Sequence, residues 1–175
     1  MKICRFASRR SCGLLEEINI EYFGTDDLLL YIANNRISDR GLCEAVKKFP
    51  LLEELDISLS YEKITKASLE AIGRCCPLLK VLKFNKNYGA GAKDDDEAFT
   101  IAKTMSQLYH LEIIGNSLSN DGLLAILNGC PLLEVLDLRL CSNVKMSWGL
   151  WKKYCQQIKN LREPHDDFPC LVIIL

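Results

Sequence analysis

The chain has 175 residues, 49% of them apolar, and a net charge of −1, which is enough for one domain with a hydrophobic core. Near-neutral charge argues against a phosphate-binding surface, because nucleic-acid binders carry a basic excess. No run approaches the roughly 20 apolar residues of a membrane span, and Met1-Lys2-Ile3-Cys4-Arg5-Phe6 lacks the apolar stretch of a secretory signal. The expected partners therefore include neither nucleic acid nor membrane.

Along the chain, residues 1–12 read as a helix with Phe6 and Ala7 on its apolar side. A strand motif of the form Leu-x-x-Leu-x-Leu follows at Leu15/Ile18/Ile20. It recurs at Leu52/Leu55/Ile57, Leu79/Leu82/Phe84, Leu108/Leu111/Ile113 and Leu133/Leu136/Leu138. Pro50-Leu51-Leu52-Glu53-Glu54-Leu55-Asp56-Ile57, Pro77-Leu78-Leu79-Lys80-Val81-Leu82-Lys83-Phe84 and Pro131-Leu132-Leu133-Glu134-Val135-Leu136-Asp137-Leu138 are nearly one string. Such self-similarity at a fixed period marks a repeat architecture.

Between the motifs lie helical patterns at 25–32, 38–46, 65–72, 94–102 and 119–127. Each opens on side chains able to cap a helix and continues with apolar residues at i, i+3 and i+4. One strand and one helix per repeat predict an α/β fold: a leucine-rich-repeat horseshoe solenoid. Parallel strands would line its concave face and helices its convex face, and no repeat could bury its apolar side alone.

The spacing departs from regularity once. The first two motifs, at Leu15 and Leu52, lie 37 residues apart, and one helix runs straight into the next around Asn35. One strand appears deleted near 35–37, which predicts a longer helix or an irregular crossover there. The expected organisation is a repeat domain over 1–163, of about five to six repeats, and a tail over 164–175. Trp148-Gly149-Leu150-Trp151-Lys152-Lys153-Tyr154-Cys155 reads as an aromatic-rich helix closing the stack, before a degenerate motif at Ile158-Lys159-Asn160-Leu161-Arg162. Pro164-His165-Asp166-Asp167 is a polar tail. Cys170-Leu171-Val172-Ile173-Ile174-Leu175 is an apolar end too short to span a membrane, with its Cys wrongly placed for prenylation.

The nine cysteines are odd in number and several occupy equivalent repeat positions. We read them as reduced, buried residues of a nuclear or cytosolic protein. No paired Cys-x2-Cys set supports a metal. The Asn85–Asp96 loop (85–96) contains Gly89-Ala90-Gly91-Ala92-Lys93, but this string lacks phosphate-loop spacing and runs into three aspartates. Neither His110 nor His165 has a spaced nucleophile or base partner, and Cys75 and Cys76 sit at a structural repeat position. No catalytic, cofactor-binding or metal residue is therefore expected, and the chain reads as a non-catalytic binding module.

The motifs Cys76-Pro77, Cys130-Pro131, Cys141 and Ile37-Ser38-Asp39-Arg40-Gly41-Leu42 resemble the cysteine-containing leucine-rich repeat of F-box proteins. The resemblance is closest to the SKIP19-like group of plant F-box/LRR proteins and covers essentially residues 1–165. It is strongest at Glu17-Ile18-Asn19-Ile20-Glu21-Tyr22-Phe23-Gly24-Thr25-Asp26-Asp27-Leu28-Leu29 and Asn120-Asp121-Gly122-Leu123. It implies the substrate-recognition part of an SCF-type ubiquitin ligase receptor. The helical F-box that reaches the Skp-type adaptor and cullin has no counterpart in the sequence. The alternative is a ligase-independent repeat scaffold or a dominant-negative isoform.

In such a solenoid the motif leucines point inward and the x positions face the concave surface. The candidate partner-binding face therefore comprises Glu17, Asn19 and Glu21, then Glu54, Asp56 and Ser58, then Lys83 and Asn85, His110 and Glu112, and Asp137 and Arg139. Val81, His110, Ile114 and Val135 make one half more apolar. That mixture suits a protein substrate with a basic stretch and an apolar anchor.

Overall fold

In the computed structural model the described residues are 17–19, 39–58, 64–86, 92–145, 147, 149, 151 and 157–165. Six three-residue strands, β1 (Glu17–Asn19), β2 (Glu54–Asp56), β3 (Val81–Lys83), β4 (His110–Glu112), β5 (Val135–Asp137) and β6 (Asn160–Arg162), form one parallel sheet in chain order. Four helices are described: α1 (Asp39–Val46), α2 (Lys66–Cys75), α3 (Asp96–Thr104) and α4 (Asn120–Gly129). They pack in sequence against one another, which makes a leucine-rich-repeat solenoid with one strand layer and one helix layer.

The register follows from the motif. Ile18, Leu55, Leu82, Leu111, Leu136 and Leu161 are successive partners across the sheet. From β2 to β5 every motif leucine or its substitute is buried to 5% exposure or less, from Leu52 through Leu138. Each such side chain stabilises the fold by about 1.5–3 kcal/mol relative to exposure. None finds its cover within its own repeat, so this free energy is available only to a stack. β1 pairs directly with β2 despite the long separation, with Glu17 opposite Glu54. The connection between them through residue 38, where a strand deletion and an irregular crossover are expected, lies outside the described residues, as do residues 1–12 and 166–175.

Polar side chains tie each repeat to its neighbour at fixed positions. Cys76 and Cys130 occupy the same place before their strands, and each thiol points at a carbonyl of the preceding repeat. Cys76 Sγ lies 3.5 Å from Phe49 O and Cys130 Sγ 3.5 Å from Met105 O. After the strand, Asn116 and Cys141 share a second position: Asn116 Nδ2 donates to Phe84 O at 2.8 Å and Cys141 Sγ to Ile113 O at 3.1 Å. An amide and a thiol thus satisfy the same buried carbonyl row, which would otherwise carry a desolvation cost. The turn there requires a left-handed residue, supplied by Gly115 (φ 68°) in one repeat and by Leu140 (φ 62°) in the next. Leu140 pays about 1–2 kcal/mol for that conformation.

The helices begin as the capping residues dictate, with one departure. Thr65 Oγ1 accepts from Ala67 N and Ser119 Oγ from Asp121 N, each at 3.2 Å. At α3 the Asp95 side chain makes no cap bond to its own helix. Its carboxylate turns to the next repeat, accepting from Ser119 N and Ser119 Oγ at 2.7 Å each. Asp94 Oδ1 accepts from Asp96 N in its stead, at 3.2 Å. Trp151 and Ile158, near the end of the array, are both buried, and β6 completes the degenerate motif.

Close helix packing fixes the sign of one substitution. A Cβ on Gly129 would lie 2.3 Å from Ala102 O and 2.7 Å from Ala102 Cα, both backbone atoms that cannot rotate away. Gly to Ala inside a helix ordinarily stabilises by up to about 1 kcal/mol. Gly129→Ala is expected instead to destabilise by about 1–3 kcal/mol in urea unfolding. Gly149→Ala, with nothing within 4 Å of the new carbon, should be neutral or slightly stabilising.

Candidate functional site

The sheet brings the sequence-predicted x positions into parallel rows. The first row runs Glu17, Glu54, Val81, His110, Val135 and Asn160. The second runs Asn19, Asp56, Lys83, Glu112, Asp137 and Arg162. Neighbouring strands stand about 4.8 Å apart, so members of a row lie side by side. A third line of side chains, Ser58, Asn85, Ile114 and Arg139, follows the strands. Glu17 and Asn19 are placed by register alone, and Glu21 lies outside the described residues.

The middle of this face is internally satisfied. Glu112 Oε1 lies 3.1 Å from His110 Nε2 and 3.5 Å from Lys83 Nζ. Asn85 bridges three strands: its Nδ2 donates to Ser58 Oγ at 2.9 Å, and its Oδ1 accepts from Ile114 N at 2.8 Å. These contacts hold side chains of the β2, β3 and β4 repeats in one arrangement, so the face presents a fixed pattern of groups.

One predicted position departs from a solvated role. Asp137 is buried, with its residue only 4% exposed. Arg139 clamps it, Nε reaching Asp137 Oδ1 at 3.0 Å and Nη2 reaching Oδ2 at 2.9 Å, while Arg139 N donates to Oδ1 at 3.1 Å. Arg162 Nη1 stands 3.7 Å from Asp137 Oδ2, and its side chain remains 55% exposed. A desolvated carboxylate needs this company. Asp137 therefore anchors two cations and leaves little of its own surface exposed.

Asn160 and Arg162 extend the first two rows but are absent from the sequence-predicted set. Their signal was available: Leu161 lies 25 residues after Leu136, the spacing of Leu136 from Leu111. The motif opens on Ile158 and ends on Glu163, where Leu133 and Leu138 stand one repeat earlier, and the charged last position hides that regularity.

The strand entrances make a separate rim. Glu53 and Lys80 pair at 2.8 Å, and Glu134 and Lys159 at 2.7 Å. The Lys159 hydrogen bond, aided by Tyr109, holds the Glu134 carboxyl below its ordinary range. Leu51, Leu78, Leu132 and Tyr109 are exposed beside these pairs. Scattered single apolar residues of this kind are ordinary on a protein surface.

Among the described residues the buried cysteines are not poised for chemistry. Burial pushes the Cys76 thiol up to about 12 and those of Cys130 and Cys141 up to about 11, the opposite of what a nucleophilic thiolate needs. Among the described residues no group of three or more His, Cys, Asp or Glu is placed to hold a metal ion. None of the described helices is long and apolar enough to cross a membrane.

No protein-family model matches the chain. Individual relatives do. The chain is 45% identical to F-box protein SKIP19 of Arabidopsis thaliana over 94% of its own length and 57% of that protein's. It is 44% identical to F-box/LRR-repeat protein 23 of the same plant, over 94% of this chain and 40% of that one. The chain thus spans about half the length of these relatives. In solved structures it shares the fold of the tropomodulin C-terminal domain of Caenorhabditis elegans. The TM-score is 0.52 at 8% identity, covering 71% of this chain and 81% of that domain.

Two measurements check the site's internal chemistry. Arg139→Ala leaves Asp137 buried with only the looser Arg162, and should cost about 2–4 kcal/mol in chemical denaturation. Glu54→Ala on the same face should stay within about 0.5 kcal/mol. The raised thiols bind their protons in the folded state while unfolded thiols, near pH 8.5, release theirs. Their contribution to stability is therefore whole below about pH 8.5 and is lost as pH rises towards 11–12. At pH 8 in the native state, alkylation followed by mass spectrometry should label Cys43 and Cys75 well before Cys76, Cys130 and Cys141.

Proposed function

Starting from a chain whose homologues are F-box/LRR proteins, we propose that it is a protein-binding repeat module, the substrate-recognition part of an SCF-type ubiquitin ligase receptor. Its concave strand face takes the protein substrate. Docking to the Skp-type adaptor and cullin is the task of an F-box, a helical element distinct from these repeats. In this division the repeats choose the substrate and another segment brings it to the ligase.

The observation that carries the reading is where the similarity falls. It covers 94% of this chain, so what is shared with F-box proteins is the repeat array itself. The array in turn offers a face of mixed charged and apolar groups, with Cys76, Cys130 and Cys141 locked as core residues. Such a face selects by shape and charge, which is what a receptor's recognition half must do. The chain performs no chemistry of its own in this scheme.

Affinity purification tests both parts. A longer form from the same gene that includes an F-box should co-purify with a Skp-type adaptor and cullin, whereas residues 1–175 alone should not. If the longer form binds no adaptor, the ligase assignment fails and the reading reduces to a ligase-independent scaffold. If residues 1–175 bind the adaptor unaided, docking is not the work of a separate F-box. On the tagged chain, Asp56→Lys with Glu112→Lys should remove the captured substrate, whereas Glu70→Ala on the helix layer should leave it.

A further inference from the structure

The charges of the strand face are sorted into those that neutralise one another and those that do not. Lys83, Glu112 and His110 form one self-contained group at the centre of the sheet. Asp137 and Arg139 form a second at β5. What remains unmatched lies at the two ends. At β2, Glu54 is exposed and has no ion pair among the described residues, and Asp56 accepts only Ser58 N, at 2.9 Å. Glu17 stands opposite Glu54 in the register, adding a third acidic position on β1. At β6, Arg162 leans towards Asp137 at 3.7 Å with more than half its side chain exposed. Asp137 is already held by the side chain and the backbone N–H of Arg139, so Arg162 keeps donors for another acceptor.

The face is therefore a dipole, acidic at β1–β2 and cationic at β6, with a neutralised centre carrying Val81, Ile114 and Val135. We infer that its partner is an extended segment with a basic side chain at one end, a carboxylate side chain at the other, and an apolar residue between. This inference deepens the reading of the strand face as a substrate site and rests on it.

Geometry sets the length. From β2 to β6 there are four strand spacings of about 4.8 Å, or roughly 19 Å. An extended chain covers that in about six residues at about 3.3 Å each. The basic end meets Glu54 and Asp56, and the carboxylate meets Arg162 in charge-assisted hydrogen bonds. A segment charged at one end only would forgo one contact. A segment acidic or basic throughout would face repulsion at one end, so the arrangement selects against it.

The sorting of charge is testable with peptide libraries on the full 175-residue chain. Fluorescent libraries of the form Lys-Lys-X-X-X-X-Glu-Glu, where X is any residue, are compared with versions that keep only the Lys pair or only the Glu pair. The doubly charged library should be enriched about 5- to 20-fold over either single-ended one, and the advantage should shrink as salt rises. Glu54→Gln with Asp56→Asn, which retains an acceptor for Ser58 N, should erase the preference for the Lys end alone. Arg162→Gln should erase the preference for the Glu end alone. Circular dichroism and melting temperature establish that each variant is folded. The inference is overturned if single-ended libraries bind as well, if neither variant alters its own end's preference, or if no library binds. In those cases adaptor capture by a longer, F-box-bearing form would be unaffected, so failure here is distinguishable from failure of the receptor assignment.

Discussion

Every feature of this molecule depends on the inability of one repeat to bury its own leucines. A three-residue strand and a helix of eight to ten residues cannot enclose an apolar side chain between them. The cover comes from the next repeat, whose strand must then sit in one register. That requirement fixes the sheet as parallel and sequential, and it aligns the x positions of successive motifs into rows. The strand face is a by-product of the core: what points inward is leucine, and what alternates with leucine is displayed.

The same stacking explains why polar groups recur at set positions. Cys76 and Cys130 reach back to the carbonyl of the equivalent residue one repeat earlier, and Asn116 and Cys141 reach back to the carbonyl of the last motif residue of the preceding strand. A thiol is small enough to be buried and donates weakly enough that its loss of water costs little. Asp95 serves the same end, leaving its own helix start to bind Ser119. Each contact stitches one repeat to the next, so the face is held by bonds running along the stack as well as by packing beneath it.

The fold and most of the strand face were legible because both are written in periodicity. Leu52, Leu79, Leu108 and Leu133 announce a repeat before any local preference is weighed, and register then follows. Less was legible where a side chain's role depends on its neighbours across strands. Asp137 reads like Asp56, the same residue type in the same motif position. One is buried under Arg139 and Arg162, while the other forms no ion pair among the described residues, because Lys83 opposite it in the register turns to Glu112. The difference lies in the residue two positions later, Arg139 in one repeat and Ser58 in the other, and in Glu112, which takes Lys83 from Asp56, and no single motif displays it. Asn160 and Arg162 were hidden because their motif ends on Glu163, where an apolar residue closes each of the others.

The central claim is that partners meet the strand face and not the helix layer. It is tested most directly by placing a photo-crosslinking residue at Val81, on β3, and in a second protein at Phe99, exposed on α3. Crosslinking in plant extract followed by mass spectrometry should yield a partner bonded at position 81, competed away by excess uncrosslinkable chain, with position 99 giving none of it. A partner captured at position 99 and not at 81 would contradict the account.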